Sequence, residues 1–600
     1  MRNSVLSKLP FIGIGVAVVV IAAATFVEAR YGTSVAHEWF YGSVAFKLLW
    51  FVIAVSGAAL LWKKRMWKRL PLGMLHLSFV VILLGALLTS LTGKQGMLHL
   101  RQGIPSDCIL SDRNAEQLPF LVRLDTFYVS YYPGTEAPQD YVSVLFIKGE
   151  SYTVSMNRIA CVAGYRFYQS SYDPDENGTV LSVNYDPWGI PVTYSGYGML
   201  VLSMVGYFLR DRRRKSVLLL LAFFSVLPLS ARTSLSQERE NASLPVISKT
   251  EARRIARQQV MWNNRPCPVG VMAQDVLLKV YGGRSYRGLS PTQVIASWTL
   301  APERWNREPI IRIKRGEYAC MDDYIDRNQR IPRLKNIGKD VRIDEKVALL
   351  LMLQQGTLVR ELPPDVVALS DTKVSIELFY ARVPWVLWGM LFCFALALAS
   401  CFVRVGWGRW SLFLFLSVSF ALRWYIAGHV PLSNGYETMF FLALCLLAVS
   451  GSSLSLLMAA FVLLVAHLAE QTPQVTPLLP VLHSPWLTAH VSVIMISYAL
   501  LALSIVNRKW LSLAVCLLAV GIFLGAVWAN VSWGTYWSWD PKESWALITL
   551  LIFSLPLHEE SLPWFRSARN YRIYGILGLL SLLMTYWGVN YLLGGMHSYG

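Results

Sequence analysis

The chain has 600 residues, 54% of them hydrophobic, with 22 Trp and a formal net charge of +18. Apolar runs of about 20 residues, the length that crosses a bilayer, recur along it and point to a polytopic α-helical membrane protein rather than a soluble one. The positive balance does not indicate nucleic acid, because many of the basic residues lie in short loops between apolar runs, where they set topology. The eight cysteines form no CxxC, so neither a zinc centre nor a thioredoxin-like dithiol is indicated.

Arg2 and Lys8 precede the first apolar run, Phe11 to Val27. It is long for a secretory signal and another run follows shortly, so it reads as a retained membrane helix. Runs fall near 11–29, 44–62, 72–92 and 193–209, with a short one near 217–231. After a long polar segment come runs near 384–403, 411–427, 436–450, 453–469, 487–506, 511–529, 544–558 and 572–593, giving about 13 transmembrane helices. The basic loops KKRMWKR (63–69), RDRRRK (210–215), RVGWGR (404–409), NRK (507–509) and FRSARNYR (565–572) are expected on the cytoplasmic side. Two large polar segments, 93–192 and 232–380, then fall outside, in the periplasm. The run 217–231 contains Pro228, and parity favours a span there. Without it, the run 384–403 would enter and leave on the wrong side of RVGWGR.

Segment 93–192 alternates in LVRLDTFYVSYY, YVSVLFIKG, SYTVSM, YRFYQSSYD and VLSVNYD, with Tyr, Val and Phe at period two broken by Gly, Pro and Asp. That pattern predicts a β-rich domain. Segment 232–380 reads as mixed, with helical stretches near 249–261 and 340–355. The expected organisation is thus 1–92 transmembrane, 93–192 external and β-rich, 193–231 transmembrane, 232–380 external and mixed, and 384–600 transmembrane with a tryptophan-rich loop at 530–543. Cys108, Cys161, Cys267 and Cys320 lie in the polar segments, where disulfides remain open.

There are nine histidines. His76, in LPLGMLHLSF, and His558, in LPLHEE, fall near cytoplasmic helix ends. His490, in SPWLTAHVSV, opens a helix at its external end, and His597, in GGMHSYG, lies just beyond the last helix, also outside. His429, His467 and His483 sit near external helix ends, and His37 and His99 in or beside external loops. One intramembrane histidine is explained equally by an interhelical hydrogen bond or by a ligand role. Two at each face favour the ligand, because neutral imidazole binds iron well and a six-coordinate haem takes two axial ligands. Two plus two is what handing a haem from one leaflet to the other requires.

The loop WGTYWSWDPKESW (533–545) has an ordinary reading as an interfacial aromatic belt. A belt needs no fixed turn and no acid, yet this loop carries Gly534, Asp540, Pro541, Lys542 and Glu543 beside Trp533, Tyr536, Trp537 and Trp539. Indole faces stack on large planar ligands and their N–H groups reach polar edges, while glycine permits close backbone approach. Asp540 reads equally as a helix N-cap for Pro541-Lys542-Glu543.

WGTYWSWDPKESWALITL resembles the tryptophan-rich "WWD" signature of haem-handling proteins. It is similar in particular to the CcsA (ResC) subunit of the system II cytochrome c synthase family. HVPLSNGYETMFF (429–441), SPWLTAHVSVIMISYAL (484–500), GAVWAN, LHEE and LGGMHSYG extend the resemblance over about 384–600. More loosely, an early histidine in the third span, YRFYQSSYD and DPWGIPVTYSGYGML make 44–209 resemble the partner subunit CcsB (ResB), so the whole chain resembles a CcsB–CcsA fusion. The resemblance says little about 232–380.

What it implies is a holocytochrome c synthase, or cytochrome c haem-lyase, in the inner membrane. Haem b enters from the cytoplasmic side between His76 and His558. It then reaches an external site under the loop, with His490 and His597 on the iron and Trp533, Gly534, Tyr536, Trp537 and Trp539 around the ring. Its vinyl groups are there joined to the thiols of CxxCH in an apocytochrome c, which thioredoxin-like proteins keep reduced. Asp540 would orient the loop or a propionate partner, and Asn434, Tyr436 and Glu437 would brace the site. One departure is LHEE, where the family usually has an "LHTR"-like context; the acids are expected to raise the basicity of His558 or change its local charge. The rival reading is a haem transporter or chaperone that delivers haem to a separate synthase. A quinone-linked b-type cytochrome is disfavoured by the histidine placement.

Overall fold

A computed structural model describes residues 8–111, 115–210, 245–314, 316–326, 333–334, 340–403, 405–469 and 474–593. The expected span 217–231, most of RDRRRK and His597 lie outside the described residues. Among those described, seven helices are long and apolar enough to cross a membrane, or eight if the pair Asp371–Arg382 and Trp385–Ala399, bent by 48°, is one span. The chain is therefore a membrane protein. It divides into two compact units, one of Met1–Ser130, Gln139–Leu227 and Leu479–Gly600, the other of Tyr131–Pro138 and Pro228–Leu478.

In the first unit, helices Leu9–Tyr31 and Val44–Lys63 pack as a hairpin joined through a π-helical turn, His37–Tyr41. Ser43 caps the second helix by accepting from the Phe46 amide at 3.2 Å. Helix Leu70–Thr92 runs directly into strand β1 (Lys94–Arg101), and β8 (Gly178–Tyr185) runs into helix Gly189–Arg210. Because β1 and β8 are antiparallel neighbours, with Lys94 opposite Tyr185, the two helices leave the sheet side by side. They pack closely enough that a Cβ at Gly85 would strike Thr193, and one at Gly196 would strike Ile82. Small residues at such crossings are how helices approach without a hydrophobic drive between them.

The sheet has eight strands in the order β5-β4-β3-β2-β1-β8-β7-β6. Its remaining strands are β2 (Pro105–Leu110), β3 (Ala115–Tyr131), β4 (Pro138–Ile147), β5 (Glu150–Val154), β6 (Ala160–Val162) and β7 (Tyr165–Tyr172). The period-two pattern becomes one apolar face: Leu98 and Leu100 of β1, Val122 and Leu124 of β3, Phe167 of β7 and Leu181 and Val183 of β8 share a core. The unit is completed by helices Pro485–Ser504, Leu511–Trp533, Pro541–Ser554 and Ala568–Leu583, the last continuing as a π-helix, Met584–Leu593.

The second unit begins with a small mixed domain cored on Trp298 and Trp305, both fully buried and stacked at 5.9 Å. The expected helix 249–261 ends early, at Ala256, and Gln259–Trp262 pairs as a strand with Arg265–Pro268. Asn263 and Asn264, at φ 51° and 59°, make the connecting turn with both central residues left-handed, the geometry of a tight hairpin. The 340–355 expectation matches helix Val341–Gln354. Apolar helices follow at Trp385–Ala399, Gly406–Ala427, Gly435–Val449 and Ser453–Ala469.

Two buried Arg–Glu pairs hold this unit. Arg423 Nε donates to Glu437 at 2.8 Å, with the two side chains 4% and 2% exposed. Glu437 also accepts from the Ser433 amide and hydroxyl, and Arg423 donates to the Gln474 carbonyl. Arg265 pairs with Glu377 and donates to the Val475 carbonyl, so the 474–475 backbone is gripped by two guanidinium groups. Removing one member of a buried pair costs about 3–5 kcal/mol. Arg423→Met should therefore lower the unfolding temperature and the folded yield of detergent-solubilised protein, read by thermal shift. Arg423→Met with Glu437→Leu, which orphans no charge, should recover most of that loss.

Candidate functional site

His76 sits nearly two turns inside helix Leu70–Thr92, and His558 ends the 3-10 turn that closes helix Pro541–Ser554. Each ring is aimed by its own helix backbone. His76 Nδ1 lies 2.8 Å from the Leu72 carbonyl, and His558 Nδ1 lies 3.0 Å from the Ser554 carbonyl. A carbonyl only accepts, so both Nδ1 atoms carry protons and both Nε2 atoms carry lone pairs. These two Nε2 atoms face each other at 3.5 Å, with the rings at 85°. Phe11 packs edge-on to His558 at 5.3 Å. Two facing lone pairs repel unless a Lewis acid lies between them. Two imidazoles are fewer donors than a bare metal ion takes, but they are the full axial set of an iron already held by four porphyrin nitrogens. The donor chemistry here fits haem.

The two acids after His558 are occupied elsewhere. Glu559 pairs with Arg508 at 2.8 Å and Glu560 with Lys64 at 3.8 Å. Neither takes the His558 Nδ1 proton, which goes to the Ser554 carbonyl. The LHEE departure thus alters the surrounding charge and leaves the orientation of the ring to the backbone.

The tryptophan-rich loop follows helix Leu511–Trp533. Gly534 caps that helix at φ 86°, and a Cβ there would lie 2.7 Å from the Tyr168 ring. Both the left-handed turn and the close approach therefore require glycine. The Gly534 carbonyl accepts from Asn184 Nδ2. Tyr536 is buried, and its hydroxyl lies 2.8 Å from Thr89 Oγ1. Thr89 gives its own proton to Asp186 at 2.6 Å, so Tyr536 is the donor to Thr89. Asp186 also caps helix Gly189–Arg210 through the Gly189 amide. Asn530, one turn before the loop, donates to the Tyr194 hydroxyl at 2.6 Å.

At the far end of the loop, Asp540 is 4% exposed and accepts from the Lys542 amide at 3.1 Å. That is the N-cap reading of Asp540. Glu543 accepts from the Ser538 amide and hydroxyl, and Lys542 Nζ reaches Asn590 Oδ1 at 3.0 Å. Trp537 and Trp539 meet at right angles with centroids 5.7 Å apart. Trp533 meets Trp528 at 4.8 Å. No residue from Val531 to Asp540 is exposed, so the loop is packed against the unit, which an interfacial belt is not.

His490, in helix Pro485–Ser504, is held by a hydrogen bond of 2.6 Å from Nδ1 to the Gly521 carbonyl, which again leaves the lone pair on Nε2. Gly525 admits the ring, since a Cβ there would lie 2.7 Å from His490 Cε1. His597 lies outside the described residues. Elsewhere His99 pairs with Asp173 at 3.0 Å on the sheet, and His429 and His467 belong to the second unit. Asn434 caps helix Gly435–Val449, and Glu437 there is spent on Arg423. Sequence reasoning gave no role to Tyr41, Thr89, Tyr168, Asn184, Asp186 or Tyr194. Tyr168, Asp186 and Tyr194 fall inside the ResB-like stretches YRFYQSSYD and DPWGIPVTYSGYGML, but their roles appear only where a distant segment packs on them.

Residues 503–597 match the family described as cytochrome C assembly protein, and residues 51–179 match the ResB-like family. His558 lies in the first match and His76 in the second. The chain is similar to protein NrfI of Wolinella succinogenes, 26% identical over 96% of this chain and 93% of that protein. It is also similar to the cytochrome c biogenesis protein CcsA of Synechococcus sp. (strain WH7803), 33% identical over 38% of this chain and 92% of that protein. CcsA of Chlamydomonas reinhardtii is 36% identical over 31% of this chain and 65% of that protein. With both halves in one polypeptide, the chain belongs to the cytochrome c assembly family of the CcsA type, joined to a ResB-like half, and it serves cytochrome c biogenesis.

Proposed function

We propose that the protein carries haem b from the cytoplasmic to the external face of the inner membrane and there attaches it to the CxxCH of an apocytochrome c. The observation that carries this reading is the His76–His558 pair, one imidazole from each matched family region, with Nε2 atoms facing at 3.5 Å. His76 and His558 hold the incoming haem, and His490 and His597 hold it at the external site beneath the tryptophan-rich loop. Each cysteine thiol adds across a vinyl double bond: the S–H hydrogen goes to one carbon, sulfur bonds the other, and no oxidant is consumed. The protein's part is then to orient the vinyl edge and exclude water. Holding reactants in near-attack geometry supplies most of such an acceleration. Thioredoxin-like proteins keep the CxxCH thiols reduced, because a disulfide has no S–H to add.

Expressing the full chain with an apocytochrome c in a host lacking other synthases tests the reading. Covalent haem on the reporter is expected; haem-loaded protein without attachment would instead make it a transporter. The purified protein should show a bis-histidine haem spectrum. His490→Ala and His597→Ala should each weaken the external haem, and His76→Ala should lower total haem several-fold. Unchanged loading in all three would sink the ligand assignment.

Thirteen spans with 93–192 and 232–380 external remain part of this proposal, and cysteine labelling tests them. Cys108 and Cys161 are exposed on the sheet, and Cys401 is exposed beside the basic loop 404–409. An impermeant maleimide on right-side-out spheroplasts should label single-cysteine proteins at 108 and 161, but reach 401 only after permeabilisation. Cys267 is a buried control whose thiol burial pushes up. The opposite pattern would reverse the orientation.

A further inference from the structure

Residues 9–50 lie outside both regions matched by the family models, yet they meet the tryptophan-rich loop directly. Tyr41, 7% exposed, closes the π-helical turn His37–Tyr41. Its ring stacks on Trp539 with centroids 4.8 Å apart and planes 11° apart. Phe46 meets the same indole edge-on at 5.1 Å. The Tyr41 hydroxyl lies 3.5 Å from Ser544 Oγ, and Ser544 donates to the Trp539 carbonyl at 3.1 Å.

Trp539 needs that support. Its φ is +62°, in the left-handed region that a bulky L-residue enters only under constraint from its surroundings. Glycine or asparagine would hold the turn without strain; tryptophan stays there only while its side chain is gripped. A relaxed Trp539 would swing its peptide and drag Trp537, which packs on it at right angles. The seat itself is anchored. Trp545 Nε1 donates to Thr25 Oγ1 at 3.1 Å, and Ala17, Ile21 and Ala24 share a buried cluster with Ile548 and Ile552. Helix Leu9–Tyr31 is thereby fastened to the helix that follows the loop.

We propose that Tyr41 is a positioning residue for the haem-attachment reaction: by stacking on Trp539 it holds residues 537–540 in the geometry the haem substrate requires. This rests on the haem-attachment reading of the loop, and it adds the N-terminal helical hairpin to the working parts of that site.

The test uses the full chain in membranes with a reporter apocytochrome c, and compares Tyr41→Ala, Tyr41→Phe, Trp539→Ala and the double variant Tyr41→Ala/Trp539→Ala at matched membrane levels. Tyr41→Ala should lower covalent attachment roughly tenfold or more, since a 1 Å misplacement costs about 100-fold. Tyr41→Phe should retain it, because the ring is kept and only a long 3.5 Å contact is lost. The double variant should match Trp539→Ala. Normal attachment in Tyr41→Ala, equal loss in Tyr41→Phe, or additive losses in the double variant would each overturn the proposal. If the wild type attaches no haem, the haem-attachment reading fails on its own. Amide hydrogen exchange over 535–540 then decides for Tyr41: faster exchange in Tyr41→Ala but not in Tyr41→Phe supports the seat, and unchanged exchange overturns it.

Discussion

Two imidazole lone pairs held face to face are an electrostatic liability, and the first unit is organised around keeping them there. Each Nδ1 proton is given to the carbonyl four residues back, on Leu72 and on Ser554. That bond sets the tautomer and the direction of each ring without any dedicated side chain. The pair then exists only if helices 70–92 and 541–554 hold their relative height. Helix 70–92 is fixed from above by its direct run into β1 and by close packing against helix 189–210 at Gly85 and Gly196. Near the other end of the chain, Glu559 and Glu560 hold the segment after His558 to Arg508 and Lys64.

The same helix carries a second constraint at its opposite end. Thr89, thirteen residues on from His76, relays Tyr536 to Asp186, so one helix touches both the paired imidazoles and the tryptophan-rich loop. Besides Thr89, the loop and the helical turn before it are gripped from three further directions: by the sheet through Asn184 and Tyr168, by helix 189–210 through Tyr194 on Asn530, and by the N-terminal hairpin through Tyr41 and Phe46. Hydrogen bonds and ring contacts from several elements at once restrain the loop. On the proposed reading, in which the loop presents haem to an arriving polypeptide, such restraint is an advantage.

The second unit relies on a different device. Its two Arg–Glu pairs are buried where desolvation is severe; Glu437 is further bonded by Ser433, Arg423 donates on to Gln474, and Arg265 donates on to Val475. Their common product is a fixed 474–475 backbone. The asparagine and glutamate of the NGYE motif are spent on this, as a cap and an ion-pair partner.

By itself the sequence determined what local chemistry can determine. Apolar runs of spanning length, the period-two alternation of β3, β4, β5, β7 and β8, the Asp540 cap and the Gly534 turn all follow from spacing and residue type. Of the four histidines that motifs single out, the fold brings His76 and His558 together and seats His490 against Gly525, while His597 lies outside the described residues. Tertiary structure decided which groups meet. Nothing near Tyr41 predicts a stack on Trp539, nearly 500 residues away along the chain, and nothing in LHEE predicts that its acids turn to Lys64 and Arg508. The hairpin at 259–268 overrode a helical reading because two left-handed asparagines closed it. Periodicity reports what one element buries and says nothing about its partner; that choice is made when packing, close glycine contacts and shared hydrogen bonds are satisfied together.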